Sequence, residues 1–533
     1  MNRVLLVPRL IICSLLLLLS FAWWPGERTH AQEGGVNFAA PGQGEPVSET
    51  RHEIKIGAKT IKYTARAGRL PIRDNQAGEP HGYMFFVAYL ADRLPGEPVR
   101  PLTFLWNGGP GSNSALVHLS GFGPKRIPLE EKGTTQGESS RVVLACVDNQ
   151  ETWLDQTDLV FVDPIGTGFS RPAKPEFAQE FYNTLGDIAS VAEFVRVYLT
   201  RFDAWSAPLF VGGESYGVWR AAGVAELLIK RSQKVAGVIF ISGGLPVGKV
   251  LSDEMRTALF VPTRTAAAFY HRKLPPDLQG DLASTLKKSE TWALSEYAPA
   301  LSRLDELSEA DRQSLQENLA RFTGLPSSYI DPKTLVVGRQ QFAEQLLRER
   351  KQVLARFDTR KTFSKDSRDI READQDGAYK TLVNKYLRGT LQFSTDLAYT
   401  GIEEGYSPTT AGKVRSAGER WDYNQGVAQA RVAPTDTDSP PGGPQPWLRR
   451  SLESQRDLKV FVAAGLYDSL NSCAGLTQTA ARMPADLGRN IMVRCYDGGH
   501  MMYESPGARR QLKADIGQFY RQTLGAAKAT PGR

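Results

Sequence analysis

A glycine-rich turn near the middle of the chain constrains the fold more than any other feature. An apolar run over residues 209–211 leads into Gly-Gly-Glu-Ser-Tyr-Gly at 212–217, and a stretch with helical periodicity follows over 218–230. Residues 213–217 match G-x-S-x-G, in which a sharp strand-to-helix turn lifts a serine hydroxyl out of a sheet. Glycines flank such a turn because backbone crowding leaves no room for Cβ atoms. The order of strand, turn and helix therefore predicts Ser215 as a nucleophile.

The rest of the chain alternates strand and helix patterns, with one long interruption. Between 251 and about 421 it is charged, helix-prone and poor in strand patterns, which predicts a helical cap over the C-terminal edge of a mostly parallel α/β sheet. Other strands are predicted over 53–67, 81–91, 101–106, 158–162, 238–241, 460–463 and 491–495, and a second helix over 184–200. We expect four segments: a signal peptide (1–31), a first core segment (32–250), the helical cap (251–432) and a second core segment (433–533).

The N-terminus and the composition bear on cellular location. Arg3 and Arg9 precede an apolar run that is short for a membrane span, and a small residue follows at position 31. We expect a cleaved secretory signal and an exported chain without stable membrane insertion, with an uncleaved anchor as the alternative. The net charge of +7 comes without a lysine or arginine block, so nucleic acid is not expected as a partner. Beyond the signal, Cys146, Cys473 and Cys495 allow at most one internal disulfide and leave a free thiol.

A serine nucleophile needs a base with a carboxylate behind it, and on a sheet of this kind the three follow in the order Ser, Asp or Glu, His. Two histidines follow Ser215 in the chain, His271 and His500. His271 falls among the predicted cap helices, where a solvated histidine is the simpler interpretation. His500 ends the Gly-rich loop that follows the strand pattern at 491–495, so we predict that it is the base.

The acid is expected where the preceding strand ends. The pattern over 458–465 runs directly into Leu-Tyr-Asp, which favours Asp468, with a helix-capping role as the alternative. Asp457 lies at the wrong end of that strand, and Asp497 is too near His500 in sequence. Negative charge that develops on a substrate oxygen needs preorganised donors. We expect the N–H of Tyr216 and the Gly-rich loop over 107–111 to supply them.

Several separated motifs resemble the serine carboxypeptidase family in its bacterial form. They are residues 104–124 (FLWNGGPGSNSALVHLSGFGP), 163–170 (DPIGTGFS), GESYG, the Tyr-Asp turn at 467–468 and GGHMMYESP at 498–506. The resemblance implies an α/β-hydrolase fold and removal of C-terminal residues from peptides or proteins. It implies roles for seven residues: the triad Ser215, Asp468 and His500, the oxyanion donors Gly109 and Tyr216, and the substrate-carboxylate binders Asn107 and Glu214.

One departure from the family affects carboxylate recognition. Eukaryotic members have a second glutamate just before the Leu-Gly-Pro that follows the Gly loop, and the matching position here is Gly121. The paired acid is therefore missing. His118 is either a positive partner for the substrate carboxylate or a hydrogen-bonded helix histidine.

Other functions remain open or are excluded. An esterase or acyltransferase would use the same triad, and a catalytically inactive secreted binding protein could keep the fold. The sequence lacks HExxH and paired CxxC motifs, so we expect no metal and no cofactor. Residues 243–250 nearly match a phosphate-binding loop, but Val250 cannot hold Mg²⁺ and Pro246 lacks an N–H.

Overall fold

The structure, a computed structural model, describes residues 46–128, 145–365, 377–401, 416–423 and 445–528. The predicted signal segment, 1–31, lies outside these residues. The described strands are β1 (Ser48–Ile56), β2 (Lys59–Arg73), β3 (Pro80–Ala91), β4 (Leu102–Trp106), β5 (Lys125–Arg126), β6 (Val147–Asp148), β7 (Asp158–Val162), β8 (Arg171–Pro172), β9 (Leu209–Glu214), β10 (Val235–Ile241), β11 (Gln352–Leu354), β12 (Thr362–Ser364), β13 (Lys459–Gly465) and β14 (Ile491–Tyr496).

One large sheet organises the molecule. Its strands run in the order β1-β2-β3-β7-β4-β9-β10-β13-β14, and β8 pairs with β3. The strands β7, β4, β9, β10, β13 and β14 pair in parallel in that order. The pairs β1–β2, β2–β3 and β3–β7 are antiparallel. The predicted mostly parallel α/β sheet is confirmed. Because β9, β10, β13 and β14 are parallel neighbours, the loops that follow them leave from the same edge of the sheet.

The N-terminal edge of the sheet differs from the prediction. The single strand expected over 53–67 is a hairpin, in which β1 and β2 pair with Ile56 opposite Lys59 across the turn at 57–58. Apolar residues alternate on both sides of this turn, at 54 and 56 and again at 61, 63 and 65, so the two runs can be taken for one strand.

Alternate side chains of the central strands face two separate apolar layers. Phe104 and Trp106 pack in one cluster, whereas Leu105 between them packs in the other, as expected when side chains alternate across a sheet. The described α-helices are α1 (Ala178–Phe181), α2 (Thr184–Arg201), α3 (Gly217–Lys230), α4 (Asp253–Ala258), α5 (Val261–Tyr270), α6 (Leu282–Trp292), α7 (Ala298–Leu301), α8 (Glu309–Thr323), α9 (Arg339–Gln345), α10 (Gly377–Lys385), α11 (Trp447–Ser454), α12 (Cys473–Ala481), α13 (Ala485–Gly488) and α14 (Pro506–Lys528).

The helical middle of the chain has a hydrophobic cluster of its own, formed by residues between Ala258 and Leu354. Later residues of the expected cap, from Tyr379 to Phe393, pack instead with one apolar layer of the sheet. The proposed cap boundaries, 251–432, remain a prediction.

A disulfide joins Cys473, at the start of α12, to Cys495 on β14, and Cys146 is a free cysteine. The disulfide therefore links the helix that follows the loop after β13 to the strand β14. No helix among the described residues is long and apolar enough to cross a membrane.

Candidate active site

Ser215 lies at the turn between β9 and α3, where the G-x-S-x-G pattern predicted it. Its backbone has a φ of +58°, a strained conformation for a residue with a side chain. Its N–H donates to the carbonyl of Ile241 on the neighbouring strand at 2.9 Å. A Cβ on Gly213 would lie 2.1 Å from the carbonyl oxygen of Gly217, so this close approach requires glycine. Ser215 itself is half-buried.

Asp468 and His500 meet where β13 and β14 end side by side. The distance from Nδ1 of His500 to Oδ2 of Asp468 is 2.8 Å, and both side chains are buried. Asp468 also accepts the N–H of Leu470 on Oδ1 and the Nδ2 amide of Asn471 on Oδ2, each at 2.9 Å. Because a carboxylate only accepts, Nδ1 of His500 carries the proton and Nε2 is left as a proton acceptor.

The sequence did not predict a set of hydrogen bonds that connects this pair to the strand β10. Ser242, directly after β10, donates its hydroxyl to the carbonyl oxygen of His500. The carbonyl of Ser242 accepts from the same Asn471 amide that bonds Asp468, at 3.0 Å. One serine and one asparagine thus connect the acid turn, the histidine loop and the central sheet. Neither residue matches a motif, so only the packed structure identifies them.

A segment from the helical middle of the chain, residues 355–361, crosses both loops, and we call it the strap. The carbonyl of Phe357 accepts the N–H of His500 at 2.6 Å, and their rings stack with centroids 5.1 Å apart. Thr359 donates its N–H and its hydroxyl to the carbonyl of Tyr467, each at 3.0 Å. The strap is therefore hydrogen-bonded both to the loop that carries Asp468 and to the loop that carries His500. No motif or periodicity predicts this role.

The Gly-rich loop over 107–111 lies against the turn that carries Ser215. A Cβ on Gly108 would lie 2.5 Å from the backbone N of Tyr216, so the loop backbone is in direct contact with the expected oxyanion donor. Gly109 follows in the loop with a φ of +98°. The structure thus brings together the two segments that the sequence predicted as donors.

Arg220, on α3, is hydrogen-bonded to the first residue of this loop. It is fully buried, and its Nε donates to both carboxylate oxygens of Asp187 at 2.8 and 2.9 Å. Its Nη1 donates to the backbone carbonyl of Asn107 at 2.7 Å. A buried ion pair therefore fixes the first residue of the oxyanion loop. Its helical periodicity predicted only that Arg220 lies on α3.

The two predicted carboxylate binders are both buried close to the nucleophile. The amide oxygen of Asn107 accepts the N–H of Val117 at 3.1 Å, which leaves its NH₂ group for a ligand. Glu214 directly precedes Ser215, and its Oε2 accepts a hydrogen bond from Tyr503 at 2.6 Å. Burial raises the pKa of the Glu214 carboxyl to about 7, against the opposing effect of His500 and the Tyr503 bond.

Two other histidines considered in the sequence analysis, His118 and His271, have structural contacts. His118 is buried, its Nε2 lies 2.6 Å from the Tyr89 hydroxyl, and burial lowers its pKa to about 3. It is therefore a neutral, hydrogen-bonded ring, and the positive-partner interpretation is wrong. His271 is half-buried rather than solvated, and its Nε2 donates to the strap carbonyl of Thr359 at 2.8 Å.

Comparison with known proteins agrees with this architecture. The family model for serine carboxypeptidases matches residues 61–390, which include Ser215 and the oxyanion loop but not Asp468 or His500. Serine carboxypeptidase-like 45 of Arabidopsis thaliana is 24% identical over 34% of this chain and 39% of its own length. Pheromone-processing carboxypeptidase KEX1 of Saccharomyces cerevisiae is 28% identical over 28% of this chain and 20% of its own length.

These matches to curated relatives thus span less than half of each relative. The crystal structure of the prohormone-processing carboxypeptidase Kex1 from Saccharomyces cerevisiae superposes with a TM-score of 0.52 at 16% identity, covering 86% of this chain and 91% of that chain. That likeness concerns the fold. With the family model matched over more than half of its length, the chain belongs to the serine carboxypeptidase family and has the α/β-hydrolase fold.

Proposed function

We propose that this protein is an exported serine carboxypeptidase that removes C-terminal residues from peptides through an acyl-enzyme. The observation that carries the proposal is the buried 2.8 Å bond between Asp468 and His500, in the loops that leave the same edge of the sheet as the turn after β9 that carries Ser215. Family membership supports the reaction class. The order of the three residues along neighbouring parallel strands supports their roles as a triad.

The chemistry follows from the donors and acceptors present. Oγ of Ser215 attacks the scissile carbonyl carbon while Nε2 of His500 takes its proton, and Asp468 stabilises the imidazolium that forms. The N–H groups of Gly109 and Tyr216 receive the oxyanion. His500 then protonates the departing amino acid, and water, activated by the same histidine, hydrolyses the acyl-enzyme.

Restriction to C-terminal residues would come from the buried polar pair beside the nucleophile. The NH₂ group of Asn107 donates at every pH, whereas Glu214 donates only when protonated. With a pKa of about 7 for its carboxyl, Glu214 retains its proton through the acidic range. The two residues thus offer donors to a free carboxylate at the end of a peptide.

Mass spectrometry of a mixed peptide set after incubation tests the proposal. We expect residues to leave one by one from the C-terminus, and we expect Ser215→Ala to abolish this release. Peptides with a C-terminal amide are the matched control for carboxylate recognition. Turnover of esters without any peptide release would refute the proposal in favour of an esterase or acyltransferase, and no labelling by a fluorophosphonate would favour a binding protein.

A further inference from the structure

Tyr503 is the hydrogen-bond partner of Glu214. Its hydroxyl donates to Oε2 at 2.6 Å, and both side chains are almost completely buried. Tyr503 lies three residues after His500, in a short turn that leads into α14, and Nη1 of Arg509 holds its backbone carbonyl at 3.0 Å. The residue is therefore fixed at both its backbone and its hydroxyl.

The Tyr503 ring lies beside the position where eukaryotic family members have a second glutamate. A Cβ on Gly121 would lie 3.7 Å from Cδ2 of Tyr503, an ordinary van der Waals contact. The ring also packs edge-on against Phe122, with centroids 5.2 Å apart. A neutral phenol thus stands next to the site of the missing acid.

We propose that Tyr503 is a positioning residue that holds Oε2 of Glu214, so that Oε1 presents its proton to the C-terminal carboxylate of the substrate. The inference rests on the proposed function and deepens it. In this chain a phenol and one carboxyl would recognise the substrate carboxylate, in place of a pair of carboxyls.

The direction of the bond supports this assignment. A neutral carboxyl has one O–H donor and one carbonyl acceptor. Among the described residues, Glu214 is the hydrogen-bond acceptor for the Tyr503 hydroxyl. If Glu214 donated to Tyr503 instead, the phenol hydrogen would lose its acceptor in a buried site, which is costly. Oε2 therefore accepts, and the proton belongs on Oε1.

The charged and titratable groups around Glu214 and Tyr503 determine which of the two changes its protonation state. Glu214 is faced by His500, Tyr503 and Glu504 from the segment after β14, and by Asp468 from the segment after β13. Tyr503 is faced by Glu214 and Glu504, and by Tyr379 from α10. Burial holds the pKa of the Tyr503 hydroxyl well above its usual range, so the phenol stays neutral while Glu214 titrates. A single proton should therefore govern carboxylate binding.

The test compares kcat/KM for one peptide and for its C-terminal amide across pH. The ratio of the two removes the titration of His500, which acts on both substrates. In the wild type we expect the ratio to fall about tenfold per pH unit above the pKa of Glu214, the behaviour of one proton. In Tyr503→Phe we expect a ratio about three- to tenfold lower at acidic pH, because Glu214 loses its orientation.

The same variant should also move the midpoint of the fall upward by about one pH unit, since the lost bond favours the ionised carboxylate over the neutral acid. Tyr496→Phe is the matched control, because the Tyr496 hydroxyl donates to the Asp515 carboxylate at 2.9 Å in the same fashion. It should leave the ratio and its midpoint as in the wild type. Fluorophosphonate labelling and melting temperature verify that each variant is folded.

An unmoved midpoint in folded Tyr503→Phe, or equal losses on peptide and amide, would overturn the proposal. Glu214→Gln provides a second measurement if Tyr503→Phe fails to fold. The amide of glutamine does not titrate, so the fall of the ratio with pH should vanish, and its persistence would equally refute the assignment. A wild type that releases nothing from the peptide would instead refute the proposed function.

Discussion

Arg220→Met removes a guanidinium that is fully buried between the Asp187 carboxylate and the carbonyl oxygen of Asn107. The substitution leaves Asp187 as a buried, unpaired carboxylate, which costs about 3–5 kcal/mol of unfolding free energy. At roughly 2–4 °C per kcal/mol for a large domain, the melting temperature should fall by on the order of 10 °C. Arg450→Met is the control, because Arg450 is partly exposed and its partner Glu226 lies towards the end of α3 remote from Ser215 in sequence.

The double variant Asp187→Leu with Arg220→Met separates stability from catalysis. Replacing both partners of a buried ion pair by apolar side chains is close to neutral for stability, so most of the melting temperature should return. The carbonyl of Asn107 still lacks its donor, and the oxyanion loop that begins there loses its brace. Because a displacement of about 1 Å at a catalytic group costs on the order of 100-fold in rate, kcat should stay well below the wild type.

Differential scanning calorimetry and steady-state kinetics on a peptide and an ester measure the two quantities in parallel. Since the oxyanion forms with either substrate, both kcat values should fall together. Recovery of kcat along with the melting temperature in the double variant would show that Arg220 only neutralises Asp187, and the positioning argument would be refuted.

Three further predictions follow from the site and from the sequence. Ser215→Ala and His500→Ala should each lower kcat by about 10⁴-fold or more in a protein that still folds, and residual activity of several per cent in either would contradict the triad. Cys473→Ser with Cys495→Ser should lower the unfolding free energy by about 3 kcal/mol. Denaturant unfolding with and without reductant measures this loss, and a wild type insensitive to reductant would contradict it. The mature chain should begin near Gln32 outside the cytoplasm; N-terminal sequencing that finds Met1 on a membrane-bound product would refute cleavage.

Local patterns were sufficient to predict the sheet and the order of its functional loops. Ser215 was predicted as the nucleophile because a strand, a glycine turn and a helix follow one another within a short stretch of chain. His500 and Asp468 were predicted as base and acid because each lies in a loop shortly after an apolar strand pattern. Each of these patterns lies within a short stretch of neighbouring residues, so it can be recognised without knowing how the chain packs.

The contacts that brace those residues were not predictable, because they join distant parts of the chain. Phe357 reaches His500 from the helical middle of the chain, and Arg220 reaches Asn107 from α3. The hydrogen bond from Tyr503 to Glu214 joins one residue that precedes the helical middle in sequence to one that follows it. No periodicity or motif marks such partners, since the bonds exist only once the sheet and the helices have assembled.

The contacts of the strap bear on the order in which the proposed active site assembles. The nucleophile turn leaves the ribosome long before Asp468 and His500, which lie near the end of the chain. On the proposed roles, the acid and base loops also need the strap carbonyl of Phe357 already folded beside them. A chain emerging during synthesis or export therefore carries a serine without its base, and it gains cleaving ability only as the last strand docks. If the proposed roles hold, the order of the sequence itself keeps unfinished copies from digesting one another.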